Sequence, residues 1–208
     1  MIDQTTLITY ILIVLGFVFI PGPATLLTIA RAASSGTKIG IATGAGIAAG
    51  DIIHTCMAIV GLSAIIATSA LLFSIVKYAG AGFLIYLGIR AMLDRAPVEL
   101  NGAAPAIGAG RAFRQAVLTE VLNPKTALFF LAFLPQFVRP EHGAPALQLA
   151  ILGVVFVLLG LLSTVVFAVG AGRLGNLLRR RPAVVKWQGK VVGAIYCSVG
   201  VRLALQER

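Results

Sequence analysis

Ile20-Pro21-Gly22-Pro23-Ala24-Thr25 falls in the middle of an apolar run that extends from about Thr5 to Ala30. A proline removes a backbone donor and its ring clashes with the turn before it. Glycine between two prolines makes an uninterrupted helix unfavourable. In hydrocarbon, the backbone groups freed by a break need partners or a water-filled cavity. The stretch therefore reads as a discontinuous helix whose second half begins near Ala24. The free N–H groups and positive dipole end of that half suit an anion such as a carboxylate, and Thr25 adds a hydroxyl. The plainer alternative is a proline kink filled by neighbouring side chains.

The rest of the chain says what surrounds the break. The 208 residues are 59% hydrophobic and 12% charged, with a mean hydropathy of +0.98. A soluble domain of this size cannot hide so much apolar surface, whereas a bilayer serves as its solvent. About 20 mostly apolar helical residues cross a hydrocarbon core of ~30 Å. Six stretches meet that requirement: about Thr5–Ala30, Ile39–Ile66, Leu71–Leu93, Phe113–Phe137, Ala146–Ala171 and Val184–Leu205. The expected fold is an all-α integral membrane protein with six transmembrane helices, the first and fourth broken.

The formal charge of +10 is distributed as topology signals are, not as a nucleic-acid surface is. Arg31 and Lys38 follow the first span. Arg90, Arg95, Arg111 and Arg114 follow the third, and Arg173, Arg179, Arg180, Arg181 and Lys186 the fifth. The positive-inside bias places these connections in the cytoplasm and both termini outside. Met1-Ile2-Asp3 lacks the basic region of a signal peptide, so the first helix is read as retained. Cys56 and Cys197 fall in separate spans and read as packing residues, with no disulfide expected.

Three features recur in order. Gly22-Pro23-Ala24-Thr25 matches Asn123-Pro124-Lys125-Thr126; Lys77-Tyr78-Ala79-Gly80 matches Lys186-Trp187-Gln188-Gly189; Gly88-Ile89-Arg90 matches Gly200-Val201-Arg202. Each copy holds three spans, an odd number, so the second copy enters the membrane in the opposite sense. The expected organisation is a first three-helix repeat over 1–95, a cytoplasmic linker over 96–110 and a second three-helix repeat over 111–208. The linker region carries Pro97, Asn101, Gly102 and Pro105.

Candidate chemistry lies at the breaks and in the second span. Glu120, Asn123, Pro124, Lys125 and Thr126 interrupt the fourth span. A break at Asn123-Pro124 could bring Glu120 and Lys125 together as an internal ion pair or aim one of them at substrate. Snorkelling toward the cytoplasmic face is the other reading. Asp51 follows the glycine series Gly40, Gly44, Gly46 and Gly50, whose spacing lets helices approach closely. An acid inside a span is a functional candidate by default. His54 lies at i+3 and Thr55 at i+4, near the same helix face. His54 belongs to the residue type that titrates near neutrality. Asp51 and His54 are thus candidate proton carriers, or Asp51 simply pairs with a cation of a neighbouring helix.

Pro21-Gly22-Pro23, Gly46-Ile47-Ala48-Ala49-Gly50-Asp51 and the run Asn123-Pro124-Lys125-Thr126-Ala127-Leu128-Phe129-Phe130-Leu131-Ala132-Phe133-Leu134-Pro135-Gln136-Phe137 resemble the LysE/RhtB family of amino-acid exporters. The resemblance covers nearly the whole chain and looks closer to the homoserine/threonine exporter branch. It implies a multi-pass protein of the bacterial cytoplasmic membrane that exports an amino acid or close derivative and is not an enzyme. An amino acid suits the candidate residues. The broken ends at Pro23-Ala24-Thr25 and Pro124-Lys125-Thr126 offer donors to its carboxylate, and Asp51 and Glu120 offer a negative partner to its ammonium. Proton antiport by alternating access is the expected mechanism, with Asp51 holding either a proton or the substrate ammonium.

The expected substrate-binding set is therefore Pro21, Gly22, Pro23, Ala24, Thr25, Asp51, Glu120, Asn123, Pro124, Lys125 and Thr126, with proton coupling at Asp51 and His54. The expected partners are a small-molecule substrate, protons and membrane lipid, with no nucleic acid, cofactor or resident metal. The Gly-rich second span could also serve a homodimer. Two rival classes remain: a divalent-metal transporter using Asp51, His54 and Glu120, and a membrane thiol-redox protein using Cys56 and Cys197. The first lacks the donor number that such sites need. The second needs two cysteines able to meet.

Overall fold

The computed structural model describes residues 2–20, 22–62, 70–93 and 107–180, and nine helical positions between 190 and 205. All regular structure among them is helical. Pro21, most of the 96–110 linker, Lys186 and the other residues from 181 to 189 lie outside the described residues.

The first apolar run is two helices. α1 spans Gln4–Phe19 and α2 spans Pro23–Ser35, bent by 53° across the break. Pro23 sits in the first turn of α2, where a missing N–H costs nothing. α1 starts at Asp3, whose carboxylate accepts from the Thr6 N–H at 2.9 Å and the Thr6 hydroxyl at 2.6 Å. The Thr6 donors hold this exposed carboxyl below the usual carboxylate range. α2 passes into α3, Thr37–Met57, through Gly36 at φ 91°, a left-handed conformation that glycine adopts freely. α3 ends in a π-turn, Ala58–Leu62.

α4 spans Ala70–Leu93. α5, Ala109–Val121, begins two residues inside the expected linker and is bent by 44° from the segment Pro124–Phe137. That segment starts as α6, Pro124–Leu128, and continues as a π-turn over Phe129–Phe133 and a 3₁₀ turn over Leu134–Phe137. α7 runs 36 residues, Pro145–Arg180, well past the expected end at Ala171.

Thr37–Gly61 and Pro145–Ala171 are each long and apolar enough to cross a membrane, and each bent pair meets that test when taken as one span. The α7 pattern is that of a membrane helix. Leu147, Val154, Leu158, Leu162, Val166 and Val169 face outward, while Gln148, Ser163 and Thr164 are buried. In water this would expose apolar surface and bury polar groups. In lipid it is the economical arrangement.

α3 is the central helix, and its glycines set how near its neighbours come. A Cβ on Gly40 would meet Ala32 and Ala168, and one on Gly44 would meet Thr164. One on Gly46 would meet the Phe113 carbonyl and Ala116, and one on Gly50 would meet Glu120. α3 and α7 run antiparallel: Gly40 lies by Ala168, Gly44 by Thr164, Asp51 by Gly160 and Thr55 by Gly153. α4 is antiparallel to the last helical positions, with Gly88 against Gly193 and Cys197, and Gly200 against Ala81 and Ile85. The two bent pairs also cross in opposite senses. Tyr10 meets Phe137, Phe17 meets Phe129, and Arg31 donates to Gln115 at 2.7 Å.

The two ends of the bundle differ in charge. Exposed Lys38, Arg111 and Arg114 gather where α2 turns into α3, α5 begins and α7 ends. Asp3, Arg139 and Glu141 lie at the other end. Arg31 is not one of the exposed cations. α2 extends to Ser35, so Arg31 stays within the helix and is buried beside Gln115.

Candidate functional site

The two breaks meet. A cavity of about 400 Å³, counted out to its open mouth, is lined by Gly22, Ala24 and Thr25 from the start of α2. Asn123, Lys125 and Thr126 from the start of α6, with Glu120 just before it, line a second part. Asp51 of α3 and Gly160, Ser163 and Thr164 of α7 complete the polar wall, and Phe17, Ile47 and Phe156 supply apolar surface. Of the expected substrate-binding residues, Pro23 and Pro124 shape the breaks without lining the cavity, and Pro21 lies outside the described residues.

Each break has its own solution for the freed backbone groups. At the second, Asn123 is the N-cap of α6. Its side-chain oxygen accepts from the Lys125 N–H at 3.1 Å. Its amide NH₂ donates to both Glu120 carboxyl oxygens at 3.3 and 3.2 Å and to the Thr126 hydroxyl at 3.2 Å. One side chain thus closes the helix end and fixes the acid beside it. The start of α2 is different: its N-cap is Gly22, which brings no side chain to its first turn. The start of α2 that lines the cavity therefore has no side-chain cap of its own.

The carbonyl end of α1 is closed from other helices. Lys125 Nζ donates to the Phe17 and Ile20 carbonyls, both at 3.0 Å, and lies 4.2 Å from the centre of the Phe17 ring. Ser163 donates to the Val18 carbonyl at 2.8 Å. Leaving such carbonyls bare in an apolar setting would cost about 1–3 kcal/mol each. Gly22 makes room for the lysine stem, because a Cβ there would sit 3.3 Å from Lys125 Cδ.

Asp51 is 2% exposed, and its carboxyl lies within hydrogen-bonding reach of Glu120. Asp51 Oδ1 is buried with no hydrogen-bond partner. A Cβ on Gly160 would come within 3.1 Å of Asp51 Oδ2, so a larger residue there would crowd the acid. His54 does not line the cavity. Its Nε2 lies 2.9 Å from the Glu120 carbonyl oxygen. A carbonyl only accepts, so Nε2 carries the proton and donates. The ring stacks on Phe130. His54 thereby ties α3 to the end of α5 just before the break.

Toward the Asp3 end the cavity is roofed by aromatic rings. Phe17, Phe129 and Phe156 contact one another with centroids 4.5–5.9 Å apart, and Phe133, Phe137 and Tyr10 continue the cluster outward. The run Asn123–Phe137 carries the family resemblance, but its residues alone do not show that its rings close the cavity. The closely spaced Phe129, Phe130, Phe133 and Phe137 were the cluster's visible signal.

The residues of the rival readings are placed as follows. Among the described residues, no three of His, Cys, Asp and Glu form a group able to hold a metal ion. Cys56 is an exposed free thiol, while Cys197 lies against α4 with its Sγ 3.7 Å from the Ile85 carbonyl.

Comparison with known proteins gives the same setting. The chain is 31% identical over 201 residues to an uncharacterized membrane protein of Pseudomonas aeruginosa, covering 94% of this chain and 93% of that one. It is 32% identical over 184 residues to a homoserine/homoserine lactone efflux protein of Salmonella typhimurium, covering 88% of each. An uncharacterized membrane protein of Bacillus subtilis is 35% identical over 166 residues, covering 76% of this chain and 79% of that one. No solved structure matches the chain significantly. The model of the LysE type translocator family matches residues 15–207, and the chain belongs to that family.

Proposed function

We propose that this protein exports an amino acid or a close derivative across the cytoplasmic membrane, by alternating access coupled to proton entry. The observation that carries the reading is the cavity, in which the uncapped start of α2 and a buried acid pair face the same space. A zwitterion has one group for each. The α2 N–H groups and Thr25 suit a carboxylate, while Asp51 and Glu120 suit an ammonium.

The relative named for homoserine and its lactone supports the acid pair as the main anchor. Those two compounds share an amino group, and the lactone has no free carboxylate. A small polar amino acid of this kind is the first substrate to test.

Coupling follows from the same pair. Where two carboxyls share one site, a proton and an arriving ammonium compete for the same oxygens. Occupation by one or the other, never both, makes substrate leave as a proton enters. Each charge moved with the membrane potential contributes about 2.3 kcal/mol per 100 mV.

The reading extends to the architecture: six spans in two inverted three-helix repeats, with both termini outside. The antiparallel packing of first with fourth, second with fifth and third with sixth segments supports it, because inverted copies must run oppositely.

The test is counterflow of labelled amino acids by reconstituted protein, with and without a pH gradient. Asp51→Asn is expected to abolish proton-linked flux while the protein stays monodisperse and thermally stable. Flux that still responds to the pH gradient in this variant would sink the assignment of Asp51. Failure of every amino acid and derivative with the unsubstituted protein would sink export itself.

A further inference from the structure

We infer that Lys125 is a positioning residue: its ammonium clamps the broken end of α1 to the start of α6 and so holds the aromatic end of the cavity closed. Within the transporter reading, this makes the lysine part of the machinery that decides which end is open, not a ligand for substrate.

The geometry is specific. The Lys125 backbone N–H is already engaged by Asn123 Oδ1, and the side chain leaves α6 to reach two carbonyls of a helix that lies more than 100 residues earlier in the chain. Both bonds are 3.0 Å, and the Phe17 ring lies under the ammonium. Phe17 is also a member of the aromatic roof, touching Phe129 and Phe156. Clamp and roof therefore share a residue. Asp51 and Glu120 are close enough to act on the ammonium electrostatically, so the charge state of the acid pair bears on how firmly the clamp holds.

Opening toward the Asp3 end requires the α1 rings to part from those of the Phe129–Phe133 turn. The Phe17 and Ile20 carbonyls cannot move away from α6 while Lys125 holds them. That turn is a π-helix followed by a 3₁₀ turn, and a 3₁₀ stretch that interrupts a helix often marks a hinge. The roof therefore has an irregular helical side, Phe129–Phe137, and a side held by the lysine, Phe17.

The experiment uses no substrate, so it can fail while export stands, and export can fail while it succeeds. Ala58 is buried in the aromatic cluster, and Ala58→Cys makes a small change there. In lipid nanodiscs, with Cys56 and Cys197 replaced by serine, the rate at which a hydrophilic maleimide labels Ala58→Cys reports opening. Lys125→Met is expected to raise that rate roughly fivefold or more, as a shift toward the open population. Lys125→Arg, which keeps donors for both carbonyls, is expected to stay close to the starting rate. An unchanged rate in Lys125→Met overturns the inference. Lys125→Gln serves where Lys125→Met does not fold, because its shorter amide keeps the site polar but loses the ammonium and its reach to the two α1 carbonyls. The same acceleration is expected from it, and an unchanged rate overturns the inference equally.

Discussion

His54 lies one turn from Asp51, and imidazole is a common proton shuttle, so adjacency alone makes it a candidate proton carrier. Its surroundings give it other work. It donates from Nε2 to the Glu120 carbonyl and stacks on Phe130, outside the cavity wall. A donor is all that this contact needs, and protonation of the ring would leave the Nε2 proton in place. His54→Gln keeps an N–H donor and is therefore expected to leave the pH profile of counterflow unshifted, while His54→Ala lowers thermal stability. A profile displaced by His54→Gln would restore the residue to the proton path. Asp51 is the contrast, being buried, lining the cavity and having one oxygen, Oδ1, without a hydrogen-bond partner. The two residues share a helix face in the sequence, yet only one faces the space where substrate would sit.

At the scale of elements, the glycine series on α3 and the two proline breaks were readable in advance, because each rests on local stereochemistry. Pro21-Gly22-Pro23 and Asn123-Pro124 look equivalent in the sequence. They become unequal once each N-cap residue is placed. Asn123 closes its own helix and holds Glu120, whereas Gly22 leaves α2 uncapped and admits the lysine stem. The α3 glycines are a packing device with a definite cost of substitution. A Cβ on Gly46 would press on the Phe113 backbone carbonyl and come 2.8 Å from Ala116 Cβ, neither of which can swing aside. Gly46→Ala is expected to cost about 1–3 kcal/mol by overpacking. Thermal unfolding in detergent checks this. Gly16→Ala, whose Cβ meets nothing within 4 Å inside α1, is the matched control and should cost no stability, gaining up to about 1 kcal/mol of helix propensity.

For the molecule as a whole, the asymmetry of charge gives the orientation a direct test. Lys38 and Arg114 lie at one end, with Arg139 and Glu141 at the other, so cysteines at these two ends should be labelled from opposite sides. Glu141→Cys is expected to react with an impermeant thiol reagent in intact cells, and Lys38→Cys only after permeabilisation. The reverse pattern would invert the proposed topology. The sequence by itself determined the apolar helical class, the positions of the two breaks and the short list of intramembrane acids. Hydropathy, proline stereochemistry and the cost of burying charge act within a few residues of chain, so they are written locally. Only the tertiary structure decided that the breaks meet in one cavity, that Lys125 turns to α1, that His54 turns away and that aromatic rings close one end. Those outcomes depend on distances between segments about a hundred residues apart, and such distances are set by how closely the glycine faces of α3 let the other helices approach.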